Sequence, residues 1–114
     1  MAAVYVNNLV INAGVDFTQT FTLEGSDTNS PLNLSNYTVS AQMRKWAGSS
    51  TAIEFTSSII PPSNSGKIFI RLTAAETSTI KPGRYVYDII ITDLSGSKNR
   101  VVEGMVLVRE GVTR

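Results

Sequence analysis

Asp88 is the side chain in this sequence whose setting most resembles that of a catalytic acid. It interrupts the apolar run Tyr87 to Ile91, and a carboxyl surrounded by apolar groups holds its proton more tightly than one in water. General acid–base chemistry also needs a partner across a cleft, and no residue is nominated for that place. The plainer expectation for Asp88 is an outward or edge position, paired with Arg71 or Arg100. Hydrolysis would have to rest on Asp88 or Glu76, with no neighbouring base to help either.

Other chemistries fall by residue type. The chain has no His and no Cys. Ser-His-Asp triads, imidazole proton shuttles, thiol nucleophiles, thiolate metal sites and disulfides are therefore excluded together. Asp27 stands alone in its loop, so a calcium site would have to be built from backbone carbonyls. Gly48-Ser-Ser-Thr lacks the lysine of a phosphate loop and precedes a strand, not a helix. Lys67-Ile-Phe-Ile-Arg71 offers one aromatic for base stacking and reads as an ordinary strand. The expectation is a non-enzymatic protein with no catalytic residue, no metal and no cofactor.

Charge narrows the partners. Lys and Arg total 10 against 9 Asp and Glu, a net charge of +1. Such a chain lacks the basic field of a nucleic-acid binder. No run approaches the ~20 apolar residues of a membrane helix, and Met1 to Asn8 lacks the basic and apolar regions of a leader. Asn33-Leu-Ser35 and Asn36-Tyr-Thr38 fit the glycosylation pattern but read as turn chemistry.

Contacts with other proteins are the remaining route to function. Trp46 follows Arg44-Lys45 at a strand end and precedes a Gly-Ser turn. It is either a plug for the core or its rim or an interface anchor. The segment containing Val4, Tyr5 and Val6 is short, apolar and β-prone. It pairs within its own domain or adds to a neighbour's sheet. The tail from Arg109 to Arg114 is the third candidate contact.

The elements that position these residues have a period of two. Phe17, Gln19, Phe21 and Leu23 share one face of a strand whose other face is Thr18, Thr20, Thr22 and Glu24. Tyr37, Val39, Ala41 and Met43 alternate in the same way, as do Ile68, Ile70 and Leu72. Tyr85 to Thr92 is the most apolar stretch and reads as a central strand. Arg100 to Arg109 follows as another, with Gly104 marking a bulge or a close backbone approach. Leu9 to Ile11, Ala52 to Phe55 and Ser58 to Ile60 are shorter strands. Thr73 and Glu76 form a capping box for a helix of one or two turns, stopped by Pro82-Gly83.

Some seven to eight strands in a single domain spanning residues 1–114 indicate an all-β, antiparallel, immunoglobulin-like β-sandwich with one short helical turn. Gly83-Arg-Tyr85-Val-Tyr87 sharpens this reading. Tyr85 takes the place of the corner tyrosine that ties the penultimate strand to the preceding loop. Tyr87 takes the place of the buried cysteine of antibody domains, as an apolar substitute.

From Ser65-Gly-Lys-Ile-Phe-Ile-Arg-Leu-Thr, through Glu76-Thr and Gly83-Arg-Tyr-Val-Tyr-Asp88, to Glu103-Gly-Met-Val-Leu-Val and Val112-Thr-Arg114, the pattern resembles small virion structural proteins of tailed bacteriophages, cyanophages included. Gly14-Val-Asp-Phe and Pro31-Leu-Asn-Leu-Ser-Asn-Tyr37 are similar to the N-terminal domain of phage baseplate upper proteins. The chain departs from those in ending at Arg114, without a long fibre-forming region. The resemblance implies a virion protein made in the host cytoplasm, present in symmetric copies. Its partners would be other virion proteins of tail, baseplate, fibre or capsid, with neither nucleic acid nor membrane. A tail, baseplate or fibre-network adaptor is the leading expectation, a capsid cement or decoration protein the second, and a stand-alone glycan-binding module the third.

Overall fold

The computed structural model describes residues 5–24 and 31–112. Nine strand segments form two sheets, joined by a helix of one turn. They are β1 (Tyr5–Val6), β2 (Leu9–Asn12), β3 (Phe17–Thr22), β4 (Thr38–Arg44), β5 (Ile53–Glu54), β6 (Thr56–Ile59), β7 (Lys67–Leu72), β8 (Gly83–Thr92) and β9 (Lys98–Arg109). The helix, α1, is Ala74–Thr77. The larger sheet runs β1-β9-β8-β4-β5, with β2 continuing the β1 edge along β9, and the smaller runs β3-β7-β6.

Alternation explains the packing. Ala41, Met43, Tyr87, Ile89, Ile91, Val102, Val106 and Val108 point inward from the large sheet. They meet Phe21, Ile68, Ile70 and Leu72 of the small one. This is the inner layer of an immunoglobulin-like sandwich, and burial of these side chains is the main driving force for folding. Phe55 fills the end of the layer, with its ring centroid 6.2 Å from Phe17 and 6.4 Å from Tyr87.

The first edge departs from the purely antiparallel expectation. Both β1 and β2 run parallel to β9, Tyr5 opposite Val102 and Leu9 opposite Val106. All the other strand pairs in the two sheets are antiparallel. Between β1 and β2 the chain dips at Asn7 and the ladder is patched by other groups. The Tyr87 hydroxyl donates to the Asn7 carbonyl, and Met105 N–H donates to Asn8 Oδ1 at 3.0 Å. Tyr87 therefore does more than substitute for an apolar residue. Its ring fills the core while its hydroxyl satisfies a carbonyl that would otherwise be orphaned.

Gly104 lies opposite Tyr87 at this dip. A Cβ there would stand 2.2 Å from the Asn7 carbonyl oxygen. Of the two expectations for Gly104, the close approach is therefore what the structure contains. The bulge is elsewhere. Ile89 pairs with Val102 but Ile90 with Arg100, so Val101 is the extra residue, and both Val101 and Val102 are buried.

Loop chemistry secures the ends. Tyr85 donates its hydroxyl to the Lys81 carbonyl at 2.7 Å, which makes the tyrosine corner. Gly83, at φ +142°, opens that strand with Lys45 Nζ 2.8 Å from where a Cβ would be. The capping box of α1 is complete, and Asp16 Oδ1 accepts from Ala74 N–H. Buried Thr77 donates to the carbonyls of Val15 and Ala74 and accepts from Gly14 N–H. Asn33 Oδ1 accepts from Ser35 N–H, and Asn36 has φ 66°, so both asparagines of the glycosylation pattern lie in turns.

Candidate interaction surface

The outward side chains of the large sheet form a grid that the strand register specifies. One row is Val10, Leu107 and Arg84. The next is Met105, Val86 and Arg44, with Asn8 beside Met105. The third is Val6, Glu103, Asp88, Gln42 and Glu54. Val6 is 75% exposed, Met105 52%, Val10 50% and Leu107 42%. Trp46, just past the end of β4, is 62% exposed.

On this face lies an open concavity of about 590 Å³, whose lining includes Trp46, Val86, Asp88, Arg100, Gly104 and Met105. Its charges are partly matched. Arg100 Nε donates to Asp88 Oδ2 at 3.2 Å, and its Nη1 lies 3.6 Å from Glu103 Oε1. Asp88 thus takes the plainer of its two expected places, outward and paired with Arg100. Arg71 is on the other sheet, opposite Thr18 and Thr56. Arg44 donates to the Ser49 carbonyl and to Gln42 Oε1, and so holds the turn that carries Trp46. That turn closes with Ser49 N–H donating to the Trp46 carbonyl at 2.9 Å.

The structure settles part of the Trp46 alternative. The indole does not plug the core, because the strand ends at Arg44 and the following turn turns the ring toward solvent. Tyr5 and Val6 pair with their own β9. Tyr5 is half-buried, and its hydroxyl accepts from Glu24 N–H at 3.2 Å, whereas Val6 points out. Arg109 is exposed at the end of β9 beside Asn12. Val4 and Arg114 lie outside the described residues, as does Asp27.

Among the described residues no group of three or more Asp and Glu could hold a metal ion, and no helix is long and apolar enough to cross a membrane. Among the described residues Tyr87 has a strongly raised pKa, pushed up to about 12 by burial. Tyr87 is buried beneath the face, is among the residues that line the concavity, and donates its hydroxyl to the Asn7 carbonyl.

Comparison with known proteins bears on the fold. No family model and no curated protein matches the chain. Among solved structures it is similar to the SrpA adhesin of Streptococcus sanguinis, with a TM-score of 0.54, 10% identity, and 96% of this chain aligned to 57% of that one. It is also similar to a family 123 glycoside hydrolase of Clostridium perfringens, with a TM-score of 0.56 and 17% identity. That alignment covers 96% of this chain and 24% of the hydrolase. The chain therefore spans less than two thirds of either neighbour. At these identities the likeness speaks for the sandwich and for nothing that either protein binds or cleaves.

Sequence reasoning missed Val10, Arg84, Val86, Met105 and Leu107 as surface residues. A signal existed for Val10 and Leu107. Leu9-Val10-Ile11 and Val106-Leu107-Val108 are continuously apolar, whereas a strand covered on one side needs apolar residues only at alternate positions. In a two-layer sandwich the excess must face outward.

Proposed function

We propose that this chain is a non-enzymatic virion structural protein of a tailed bacteriophage, an adaptor in the tail, baseplate or fibre network that binds its neighbours through the outer face of the large sheet. The observation that carries the reading is that face, where Val6, Val10, Met105 and Leu107 lie together on adjacent strands with Trp46 near their border. Contiguous exposed apolar surface of this kind marks interaction sites, and Trp is enriched among interface anchors. The likeness of Gly83 to Asp88 and of Glu103 to Val108 to phage virion proteins supplies the setting.

Quantitative mass spectrometry of purified particles, set against the major capsid protein, tests this reading. A few to a few dozen copies support the adaptor. Hundreds of copies would move the chain to capsid decoration, and absence from the particle would overturn both. A second reading, a glycan-binding module, is favoured by one feature, the exposed indole beside a concavity lined by Gln42, Asp88 and Glu103. It requires a sugar affinity that Trp46→Ala abolishes.

A further inference from the structure

The small sheet ends in a strand that is paired on one side alone. Leu23 N–H donates to the Gly66 carbonyl at 2.7 Å, one step beyond the Thr22–Lys67 pair of the β3–β7 ladder. In an antiparallel ladder, opposed residues that bond each other alternate with residues that do not. Phe17, Gln19 and Phe21 therefore turn their N–H and C=O groups toward β7, and Thr18, Thr20 and Thr22 turn theirs away. The other side of β7 is taken by β6, and just past that strand Ile60 N–H donates to the Lys67 carbonyl at 2.9 Å. Beyond the far end of β3, Glu24 N–H points the same way as the threonine groups and is met by the Tyr5 hydroxyl at 3.2 Å. The Thr20 carbonyl receives a long bond of 3.4 Å from the Gln19 side-chain amide. Among the described residues no other partner reaches the outward backbone groups of Thr18, Thr20 and Thr22, which are left to water.

The remaining edges are guarded and this one is not. β5 has two residues. β6 has four and runs on into Ile60-Pro61-Pro62. The first edge of the large sheet is broken between β1 and β2 at Asn7. β3 is six residues long, in unbroken register with β7, and contains no charge, proline or glycine. Natural sheets protect long edges with charges, prolines and bulges, because a free edge accepts another strand.

We propose that the free edge of β3 receives an extended segment of a partner protein, which adds a fourth strand to the small sheet. The backbone sets the chemistry of the occupant. Paired donors and acceptors recur along this edge every second residue, ~6.6 Å apart, and another extended chain presents complementary groups at that repeat. The segment has about five residues, enough to span Thr18 to Thr22, and no proline. Its side chains alternate. Those level with the threonines share their hydrated face and are hydroxyl-bearing or β-branched. Those level with Gln19 and Phe21 point inward and are apolar, because Phe17 and Gln19 are only half-buried where Phe21 is buried. An apolar side chain placed there takes the margin of the core out of water. This edge is a different surface from the outer face of the large sheet, so the inference does not depend on the proposed function.

The probe is a heptapeptide of alternating threonine and valine between terminal lysines, acetylated and amidated. Titrated into the isotope-labelled chain, it is expected to bind in the submillimolar range. The largest amide shifts should fall on Thr18, Thr20 and Thr22. Hydrogen exchange at those amides should be fast in the free chain, unlike that of Gln19 and Phe21, and should slow on binding. The same peptide with every threonine and valine amide N-methylated keeps its side chains, loses its hydrogen-bonding edges and should not bind. Thr20→Pro removes an N–H that takes no part in the β3–β7 ladder. It should keep the β-sheet circular dichroism and weaken peptide binding about tenfold or more. If that variant does not fold, the two peptides on the unaltered chain still decide. Protection of Thr18, Thr20 and Thr22 in the free chain would show the edge already covered by the chain itself. Self-association abolished by Thr20→Pro would assign the edge to a second copy. Either result, no binding at millimolar peptide, equal binding of the methylated peptide, or shifts centred elsewhere would overturn the proposal, whatever the particle analysis gives.

Discussion

The two sheets of this sandwich obey the same alternation and differ in what they turn outward. The small sheet shows solvent Thr18, Arg71 and Thr56 in one row, Thr20, Phe69 and Ser58 in the next, then Thr22 beside Lys67. That is a hydroxyl-rich, solvated surface with one half-buried aromatic. The large sheet shows Val10, Leu107, Met105, Val86 and Val6 among its charges. Threonine serves strand formation as well as valine does, so folding alone does not call for the difference. What differs is water. The threonine face keeps its hydration, while the valine and methionine face gains by losing it to another surface.

The inner faces should break before this contrast is felt. Ile70→Ala in the small sheet and Ile89→Ala in the large one each empty a fully buried site, and each should cost about 2–5 kcal/mol in denaturant unfolding. A small loss at one of the two would mean that the layers do not share one core. Gly104→Ala touches the large sheet only. Its methyl would collide with the Asn7 carbonyl, so a loss of about 1–3 kcal/mol is expected. It should come with faster hydrogen exchange at Asn7 and Met105 and unchanged exchange in β3 and β7.

Alkali distinguishes the sheets more gently. Tyr87 holds its proton up to about pH 12 in the folded chain, against an ordinary value of 10. Burial raises the folded value, so the contribution is fully present below pH 10 and is lost as pH climbs from 10 through 12. A Tyr87→Phe variant, less stable at neutral pH for want of the bond to Asn7, should show a shallower decline over that window. Equal slopes would show that Tyr87 is not the group responsible. The smallest effects belong to the outer faces. Leu107→Thr and Thr20→Val should each change folding stability by no more than about 0.5 kcal/mol, yet only Leu107→Thr should lower incorporation of the chain into particles. An equal loss in both would erase the distinction between the faces.

Much of the architecture was legible beforehand because it depends on local rules. Alternation around Phe21, Met43 and Ile70 located the inner layer. Thr73 with Glu76 located the cap, and Gly83-x-Tyr85 the corner. The parallel course of β1 and β2 was not legible, because it depends on a carbonyl at Asn7, a hydroxyl at Tyr87 and a missing side chain at Gly104, which are 97 residues apart at the extremes. Asp88 carried two readings for a related reason, and the plainer one holds. Its apolar neighbours Tyr87 and Ile89 point to the other side of the strand, so the run around it says little about its own surroundings. The bulge at Val101 had no local mark, since two adjacent valines look the same whether or not one of them is extra.

The parallel edge also decides how the domain meets a pull. Tyr5 lies beside Val102, near the start of β9, and Asn12 beside Arg109 at its end. Tension applied between Tyr5 and Arg109 therefore drags β1 and β2 one way along β9 and β9 the other. The bonds between them are loaded in shear, all together, and are not unzipped one at a time. The Tyr87 hydroxyl under Asn7 and the Asn8 amide against Met105 lie in the middle of that seam. A force that arrives through the chain ends meets its resistance there, before it reaches the core.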